Sequence, residues 1–300
     1  MTETLHPLRI AAAPISWGVC EVPGWGHVLD PATVLAAMAG LGVTATEFGP
    51  PDYLPGDPHA LRGVLAAHGI TPVGGFLALP LHRDTGAALD TARDTAARFA
   101  AAGAEVLVLA AATGESGYDT RTPLDGHQWR TLIDTAETIA GIAADHGLRT
   151  TVHPHVGTHI ETAAEVARFL ADTDLNLCLD TGHLSIGGTD PVELGRRHPG
   201  RVGHVHLKDV RADLADRVRA GELDYSAAVR AGLYVPLGDG DLDIAALINA
   251  VHGAGYRGWY VIEQDTMLAP DATAAVPTDN AGRSLRHLAE IGSDLAASRI

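Results

Sequence analysis

The sequence predicts an α/β fold of the (β/α)8 type, a closed TIM barrel, and three observations support this prediction. Eight short apolar runs alternate with longer amphipathic segments along the 300 residues, which is the pattern of repeated βα units around a parallel sheet. The helical segments carry start and stop signals throughout. No proline-rich or serine-rich linker divides the chain, so we expect one domain over residues 1–300.

Eight strands are predicted from the short apolar runs. They cover residues 9–13, 44–48, 71–77, 105–110, 149–154, 175–180, 202–207 and 258–263. Eight units favour a closed barrel over a doubly wound open sheet, which shares the same βα alternation. A dinucleotide-binding open sheet would also carry G-x-G-x-x-G directly after its first strand, and the segment IAAAPISWG has no such motif.

The predicted helices begin at recognisable caps. Asp30 and Asp190 each precede a proline, which gives an N-cap acid before a proline at the first helical position. Thr162 and Glu165 have the spacing of a capping box. Gly103 follows an apolar-periodic segment, as a C-terminal glycine does.

Composition excludes several classes of protein. Apolar residues make up 46% of the chain and charged residues 19%, as in an ordinary globular protein. With 37 acidic and 21 basic residues the net charge is −16, so neither a nucleic acid nor an anionic membrane is expected as a partner. Only two cysteines are present, and neither a signal peptide nor a membrane-spanning apolar run is evident, so we expect a cytoplasmic protein.

Residues able to bind a metal occur at the ends of four predicted strands in the second half of the chain. The segments are TTVHPH, LNLCLDTGH, GHVHLKDV and GWYVIEQD, and the active site of such a barrel lies where its strands end. They predict one site for a divalent metal, with His153, Asp180, His206 and Glu263 as ligands. This mixed nitrogen and oxygen set suits Mn²⁺ or Co²⁺, with Zn²⁺, Fe²⁺ or Mg²⁺ as further choices, rather than Ca²⁺.

The same strand ends carry candidate catalytic residues. Side chains alternate along a strand, so His155 shares a face with His153 and Lys208 shares one with His206. Gly182 allows the chain to turn after Asp180, which would bring His183 over the barrel mouth. We therefore expect His155, Lys208 and His183 to act beside the metal.

Substrate contacts are predicted mainly in the first half. Trp17 follows the first strand and could lie against a sugar or polyol ring, although it could equally pack under a loop. Glu47 ends the second strand as a possible acid, base or hydroxyl acceptor, although it could pair with an arginine instead. His183 and Arg211 complete the predicted substrate-binding residues.

Six motifs resemble those of the xylose isomerase-like superfamily of TIM barrels, and within it the inosose dehydratases. They are APISWG at 13–18, HPHVGT at 153–158, CLDTGHLSIGGTDP at 178–191, HVHLKDVR at 204–211, VPLGDGDLDI at 235–244 and GWYVIEQD at 258–265. The superfamily includes sugar and sugar-phosphate isomerases, epimerases and dehydratases. Its members generally bind a metal through Glu, Asp, His and Glu of the last four strands, so the resemblance implies the same four ligands, with His153 at the first glutamate position.

That histidine bears on the reaction. In the ketose epimerases that the chain resembles, two metal-bound glutamates transfer the substrate proton, and His153 replaces one of them. The resemblance therefore implies a metal-dependent lyase that dehydrates a keto-polyol such as 2-keto-myo-inositol through an enolate. Glu263, Lys208 and His155 are candidate bases in that order, and His183 would bind or protonate the leaving hydroxyl.

Several alternatives stay open. A sugar or inosose isomerase or epimerase is one, and a ligand-binding barrel or one subunit of a two-protein enzyme is another. An endonuclease of the same superfamily would require a larger metal cluster and a cationic surface, which the net charge of −16 disfavours. The expected partner is a small keto-polyol or keto-sugar, a homo-oligomer is possible, and residues 211–234 either close the pocket or contact a neighbouring subunit.

Overall fold

Eight parallel strands close into a barrel in the computed structural model, which describes residues 8–115 and 117–297. The described strands, in chain order, are β1 Arg9–Ala12, β2 Ala45–Glu47, β3 Thr71–Leu79, β4 Val106–Ala111, β5 Arg149–Val152, β6 Leu177–Asp180, β7 Val202–Leu207, β8 Asp209–Val210, β9 Tyr234–Val235 and β10 Trp259–Ile262. The barrel order is β1, β10, β7, β6, β5, β4, β3, β2. All eight predicted strands are therefore confirmed, and so is the (β/α)8 fold.

Helices follow the barrel strands. They are α1 Pro31–Gly40, α2 Pro58–Ala67, α3 Thr85–Ala102, α4 Gly126–Asp145, α5 Ala163–Asp172, α6 Thr181–Ile186, α7 Pro191–Arg197, α8 Ala212–Arg219, α9 Tyr225–Arg230, α10 Ile244–Gly253 and α11 Ala275–Ala297. The predicted caps are confirmed, because Asp30 and Asp190 accept backbone N–H groups at the starts of α1 and α7. Thr162 and Glu165 form a full capping box on α5. No described helix is long and apolar enough to cross a bilayer.

The register of the strands brings three of the predicted metal ligands to the same end of the barrel. Asp180 at the end of β6 pairs directly with His206 in β7, and His206 pairs on its other side with Val261 in β10. The backbone N–H of Glu263 continues this ladder by donating to Leu207 O. Three neighbouring strands therefore deliver their last side chains to the same end of the barrel.

The main hydrophobic core fills the space between the barrel and its helices. It includes wholly buried residues of the strands, such as Leu107 and Leu179, and of the helices, such as Leu132 and Leu247. Trp17, in a short 3-10 turn after β1, belongs to this core. The strand ends are therefore anchored on both sides by packed apolar side chains, which gives the barrel mouth a fixed frame.

Residues 209–235 form a small lid that the sequence analysis did not predict as ordered elements. In this lid segment β8 pairs antiparallel with β9, and α8 and α9 lie between them. The segment packs against Trp25, Val156 and Ile186 to form the lid cluster, which consists of Trp25, Val156, Ile186, Val210, Leu214, Ala215, Tyr225, Ala228, Val229, Leu233 and Tyr234. The segment reaches the barrel mouth at Tyr225, whose hydroxyl donates to Asp265 Oδ2, and the two roles considered for residues 211–234 stay predictions.

Candidate active site

A cavity of about 360 Å³ lies at the C-terminal ends of the barrel strands. It contains most of the predicted site residues, together with an apolar wall. Its charged, imidazole and aromatic lining residues are Glu21, Trp25, Glu47, Phe76, Tyr118, His153, His155, His206, Lys208, Glu263 and Asp265. A larger open groove of about 840 Å³ lies beside the starts of α5, α7 and α10, and none of the predicted site residues lines it.

The four predicted metal ligands come together at one side of this cavity. His206 Nδ1 lies 3.2 Å from His153 Nε2, 3.2 Å from Glu263 Oε2 and 3.6 Å from Asp180 Oδ2. His153 Nε2 lies 3.3 Å from Asp180 Oδ2. Asp180, His206 and Glu263 offer ligand atoms that all lie within 4.8 Å of one another. Ligand atoms bound tetrahedrally at 2.0–2.1 Å from one ion are about 3.4 Å apart, so the distances around His206 suit a metal site.

Asp180 provides a second test of the fit. Its Oδ1 accepts a hydrogen bond from the backbone N–H of His183 at 2.8 Å, so Asp180 also caps α6. Its Oδ2 is buried and has no hydrogen-bond partner among the described residues. A buried carboxylate oxygen is costly unless it is paired or bound to a cation, and Oδ2 is the atom that faces the other ligands.

Cys178 lies near the ligand set. Its sulfur is within 4.8 Å of ligand atoms of His153 and His206. Burial raises the pKa of the Cys178 thiol to about 12. The four predicted ligands themselves offer two imidazoles and two carboxylates.

Glu47 lies directly beneath the ligand set. Its Oε1 accepts hydrogen bonds from His204 Nε2 at 2.7 Å and from His206 Nε2 at 2.9 Å. Burial acts to raise the pKa of Glu47, but the two imidazoles outweigh it and hold that pKa below its ordinary value. His206 Nδ1, the nitrogen that does not contact Glu47, faces the other predicted ligands, so Glu47 would favour the Nε2–H tautomer when a metal binds Nδ1.

Lys208 is a buried cation between carboxylates. Its Nζ lies 2.5 Å from Glu263 Oε2 and 2.6 Å from Asp265 Oδ1, and 3.7 Å from Asp180 Oδ2. Burial acts to lower the pKa of Lys208, but Asp265, Glu263 and Asp180 outweigh it and hold the pKa well above its ordinary value. Lys208 therefore carries its proton and is not suited to accept one.

His155 has the opposite character. Its Nδ1 donates to Val156 O at 2.7 Å, which leaves the lone pair on Nε2. Burial, aided by the neighbouring His153, lowers the pKa of His155 to about 3. His155 is therefore a neutral imidazole on the cavity wall, with a nitrogen able to accept a proton.

Three predicted contacts lie away from the cavity lining. Trp17 is fully buried, and its Nε1 donates to Thr278 in α11. Arg211 starts the lid helix α8, and its side chain is 47% exposed beside Asp213. His183 lies in α6 behind His155, with ring centroids 3.7 Å apart, because a helix starts at Thr181 where a turn toward the mouth was expected.

Other lining residues escaped the sequence analysis. Trp25, in the glycine-rich loop PGWG, lines the cavity and donates from Nε1 to Thr266 O. Tyr118 stacks on His155 with ring centroids 5.6 Å apart. Asp265 of the EQD segment contacts Lys208. An aromatic residue in a loop after a strand was a usable signal for Trp25, but Trp17 is nearer to the strand and was chosen instead.

Residues 35–291 match the family described as xylose isomerase-like TIM barrel. This match covers most of the chain, and the closed eight-stranded barrel agrees with it. The chain therefore belongs to the xylose isomerase-like TIM-barrel family.

Within this family the chain is similar to inosose dehydratases. It is 34% identical over 305 residues to the inosose dehydratase of Geobacillus kaustophilus, covering 96% of this chain and 98% of that one. It is 30% identical over 299 residues to the enzyme of Geobacillus thermodenitrificans, covering 95% and 97%. The rhizopine catabolism protein MocC of Rhizobium meliloti is 32% identical over 276 residues, covering 88% and 83%.

Solved structures share the fold at lower identity. L-ribulose 3-epimerase superposes with a TM-score of 0.69 at 18% identity, covering 97% of this chain and 96% of that one. The IOLI protein, whose crystal structure contains a bound zinc atom, gives a TM-score of 0.70 at 14% identity, covering 94% and 98%. These likenesses support the barrel architecture.

Proposed function

We propose that this chain is a metal-dependent dehydratase of a keto-polyol such as 2-keto-myo-inositol. The observation that carries the proposal is the convergence of His153, Asp180, His206 and Glu263 at ligand spacing in the barrel-mouth cavity. The family and the inosose dehydratase relatives support the choice of reaction. A small neutral polyol also suits a cavity of about 360 Å³ whose one cationic lining residue, Lys208, is already paired.

The ligand set would hold one divalent ion, and Mn²⁺ or Co²⁺ is our choice because two carboxylates and two imidazoles form a mixed oxygen and nitrogen donor set. When bound, the ion would polarise the substrate carbonyl as a Lewis acid. Glu47 would keep His206 in the tautomer that binds it.

The protein side chains supply the proton transfers. Dehydration removes a proton from the carbon beside the carbonyl and releases the hydroxyl of the next carbon as water. His155 is our choice of proton acceptor, because it lines the cavity and the bond from its Nδ1–H to Val156 O leaves the lone pair on Nε2. The imidazolium so formed would return this proton to the departing hydroxyl, which leaves as water. Lys208 would donate a charged hydrogen bond from Nζ to the substrate oxygen that gains negative charge.

This assignment revises the order of candidate bases given by the sequence. Glu263 stood first, but its Oε2 is engaged by Lys208 and His206. Lys208 stood second, but it carries its proton. His183 was expected to protonate the leaving hydroxyl, but it lies behind His155, so we do not assign it that role.

Mass spectrometry of the reaction in deuterated buffer tests the proposal. Incubation of the Mn²⁺-loaded protein with 2-keto-myo-inositol should give a product lighter by one water, about 18 mass units. Deuterium uptake without that loss would indicate an isomerase or epimerase. Metal binding with neither result on a panel of keto-inositols and ketohexoses would indicate a binding protein.

A further inference from the structure

Lys208 has three carboxylates around it, and they are not equivalent. Two of them, Glu263 and Asp180, belong to the proposed ligand set, with oxygens 2.5 and 3.7 Å from Nζ. The third, Asp265, contacts Nζ at 2.6 Å through Oδ1 and lies outside that set. A buried ammonium needs a carboxylate partner, and a bound cation would draw on the negative charge of the other two.

Asp265 is itself held by the lid. Its Oδ2 accepts a hydrogen bond from the Tyr225 hydroxyl at 2.7 Å. Tyr225 is wholly buried at the first position of α9, and its backbone N–H donates to Asp119 Oδ1 at 2.7 Å. The Tyr234 hydroxyl lies 3.0 Å from that of Tyr225, so a hydrogen-bonded chain runs from the lid to Asp265.

The surroundings leave Lys208 little freedom. The Tyr234 ring lies 5.6 Å from Nζ, a cation–π distance. A Cβ built on Gly182 would lie 2.9 Å from Lys208 Cβ and 2.8 Å from the Tyr234 ring, so the start of α6 packs closely on both. Without the Asp265 charge, the ammonium would retain only Glu263 and Asp180 as carboxylate partners.

We propose that Asp265 is a positioning residue that supplies the Lys208 ammonium with a carboxylate partner when a metal binds Glu263 and Asp180, which lowers the competition for those two ligands, and that Tyr225 of the lid holds Asp265 in this position. The inference goes beyond the proposed function by adding Asp265 and Tyr225 to the site. Its first test needs no substrate and therefore does not depend on the proposed reaction.

That test is a double-mutant cycle on metal affinity. Calorimetric titration of the metal-free protein with Mn²⁺ would compare the wild type, Asp265→Asn, Lys208→Met and the double variant. Loss of Asp265 should weaken Mn²⁺ binding about 10-fold, a usual effect for a residue beside a metal ligand. The double variant should bind as tightly as Lys208→Met, because the competing ammonium is absent.

Two results would overturn the proposal. One is wild-type Mn²⁺ affinity in Asp265→Asn. The other is an equal loss of Mn²⁺ affinity in the two backgrounds, when Asp265→Asn is added to the wild type and when it is added to Lys208→Met. Asp265 would then act without Lys208. Asp213→Asn, which removes one exposed charge from the lid, is the matched control and should leave Mn²⁺ affinity unchanged.

Tyr225→Phe keeps the inference testable if Asp265→Asn fails to fold, since it removes one hydroxyl and preserves the packed ring. It should weaken Mn²⁺ binding in the same direction, by about 3-fold, and Lys208→Met should again cancel the effect. In the turnover assay, which rests on the proposed function, it should lower kcat about 10-fold with less change in KM. An unchanged Mn²⁺ affinity in Tyr225→Phe would remove the lid from the inference.

Discussion

Glu47 and His206 are joined by a 2.9 Å hydrogen bond that runs beneath the ligand set. The two residues lie 159 positions apart in the chain, on strands that are not neighbours in the barrel. Their contact crosses the barrel interior and bonds His206 at Nε2, the ring nitrogen that does not face the other predicted ligands. A residue predicted to touch the substrate is thus placed to support a predicted metal ligand.

Replacing Glu47 should therefore weaken metal binding. Glu47→Gln keeps the size of the side chain but removes the charge that holds the His206 tautomer, and we expect Mn²⁺ affinity to fall about 10- to 100-fold. Calorimetric titration of the metal-free protein measures this directly. Unchanged affinity together with a raised KM would instead return Glu47 to the role of a substrate contact.

Replacing His153 with glutamate tests the link between this residue and dehydration. His153→Glu should still bind Mn²⁺, because a carboxylate is a suitable ligand, but we expect water loss to slow about 10-fold or more. Exchange of the α-proton with deuterated solvent should continue. The ratio of deuterated substrate to dehydrated product, read by mass spectrometry, reports the change, and an unaltered ratio would mean that His153 does not direct the reaction.

Removing the metal should destabilise the fold. A ligand that binds only the native state adds about 2.7 kcal/mol of stability at a free concentration of 100 Kd, so adding Mn²⁺ to chelator-treated protein should raise the melting temperature in calorimetry. Asp180→Asn should show a much smaller rise, because Asp180 Oδ2 would no longer be a charged ligand. Equal rises in the two proteins would indicate that the ion binds elsewhere.

Asp209 should be important for stability. Its two oxygens accept four backbone N–H groups, of Val210 and Leu242 at Oδ1 and of Gly238 and Gly240 at Oδ2. Asp209→Asn replaces one oxygen with a donor, which should cost about 2–4 kcal/mol in urea unfolding. Asp190→Asn at the start of α7 is the matched control, because asparagine is an equally good N-cap.

The pair His82 and His159 predicts acid sensitivity. The rings lie 4.4 Å apart, and burial, aided by the neighbouring His82, lowers the pKa of His159 to about 4 from its ordinary 6.5. Between those values the unfolded chain binds the proton that the native state does not, so stability should fall as pH drops from 6.5 to 4. In urea unfolding, the stability of His159→Asn should change less with pH over this range. At pH 8 its stability should differ from that of the wild type by less than it does in acid.

The barrel and the ligand set could be predicted from sequence for the same reason. Alternation along β7 fixes the direction of His206, and closure of a parallel barrel brings Asp180 and Glu263 to the same end. Each of these residues could be placed from the pattern of its own strand and the rule that the active site of such a barrel lies where its strands end. The metal assignment stays a prediction that the titrations above test.

The remaining site residues depend on long-range contacts that no local pattern encodes. Trp25 reaches the cavity because its loop is tied to the carbonyl of Thr266, 241 positions away. Tyr225 meets Asp265 only after the lid has folded over the barrel mouth. His183 lies in α6, packed against His155, because Asp180 caps a helix rather than a turn.

The lid cluster packs separately from the main core, and this separation bears on how such a chain can diverge in evolution. The ligand set is fixed by strand ends that the main core anchors, whereas the lid residues Tyr225 and Leu233 pack in a cluster of their own. Substitutions among the apolar residues of the lid can be accommodated within that cluster while the strand ends stay in register. The lid and the strand ends can therefore diverge independently of each other, although one chain encodes both.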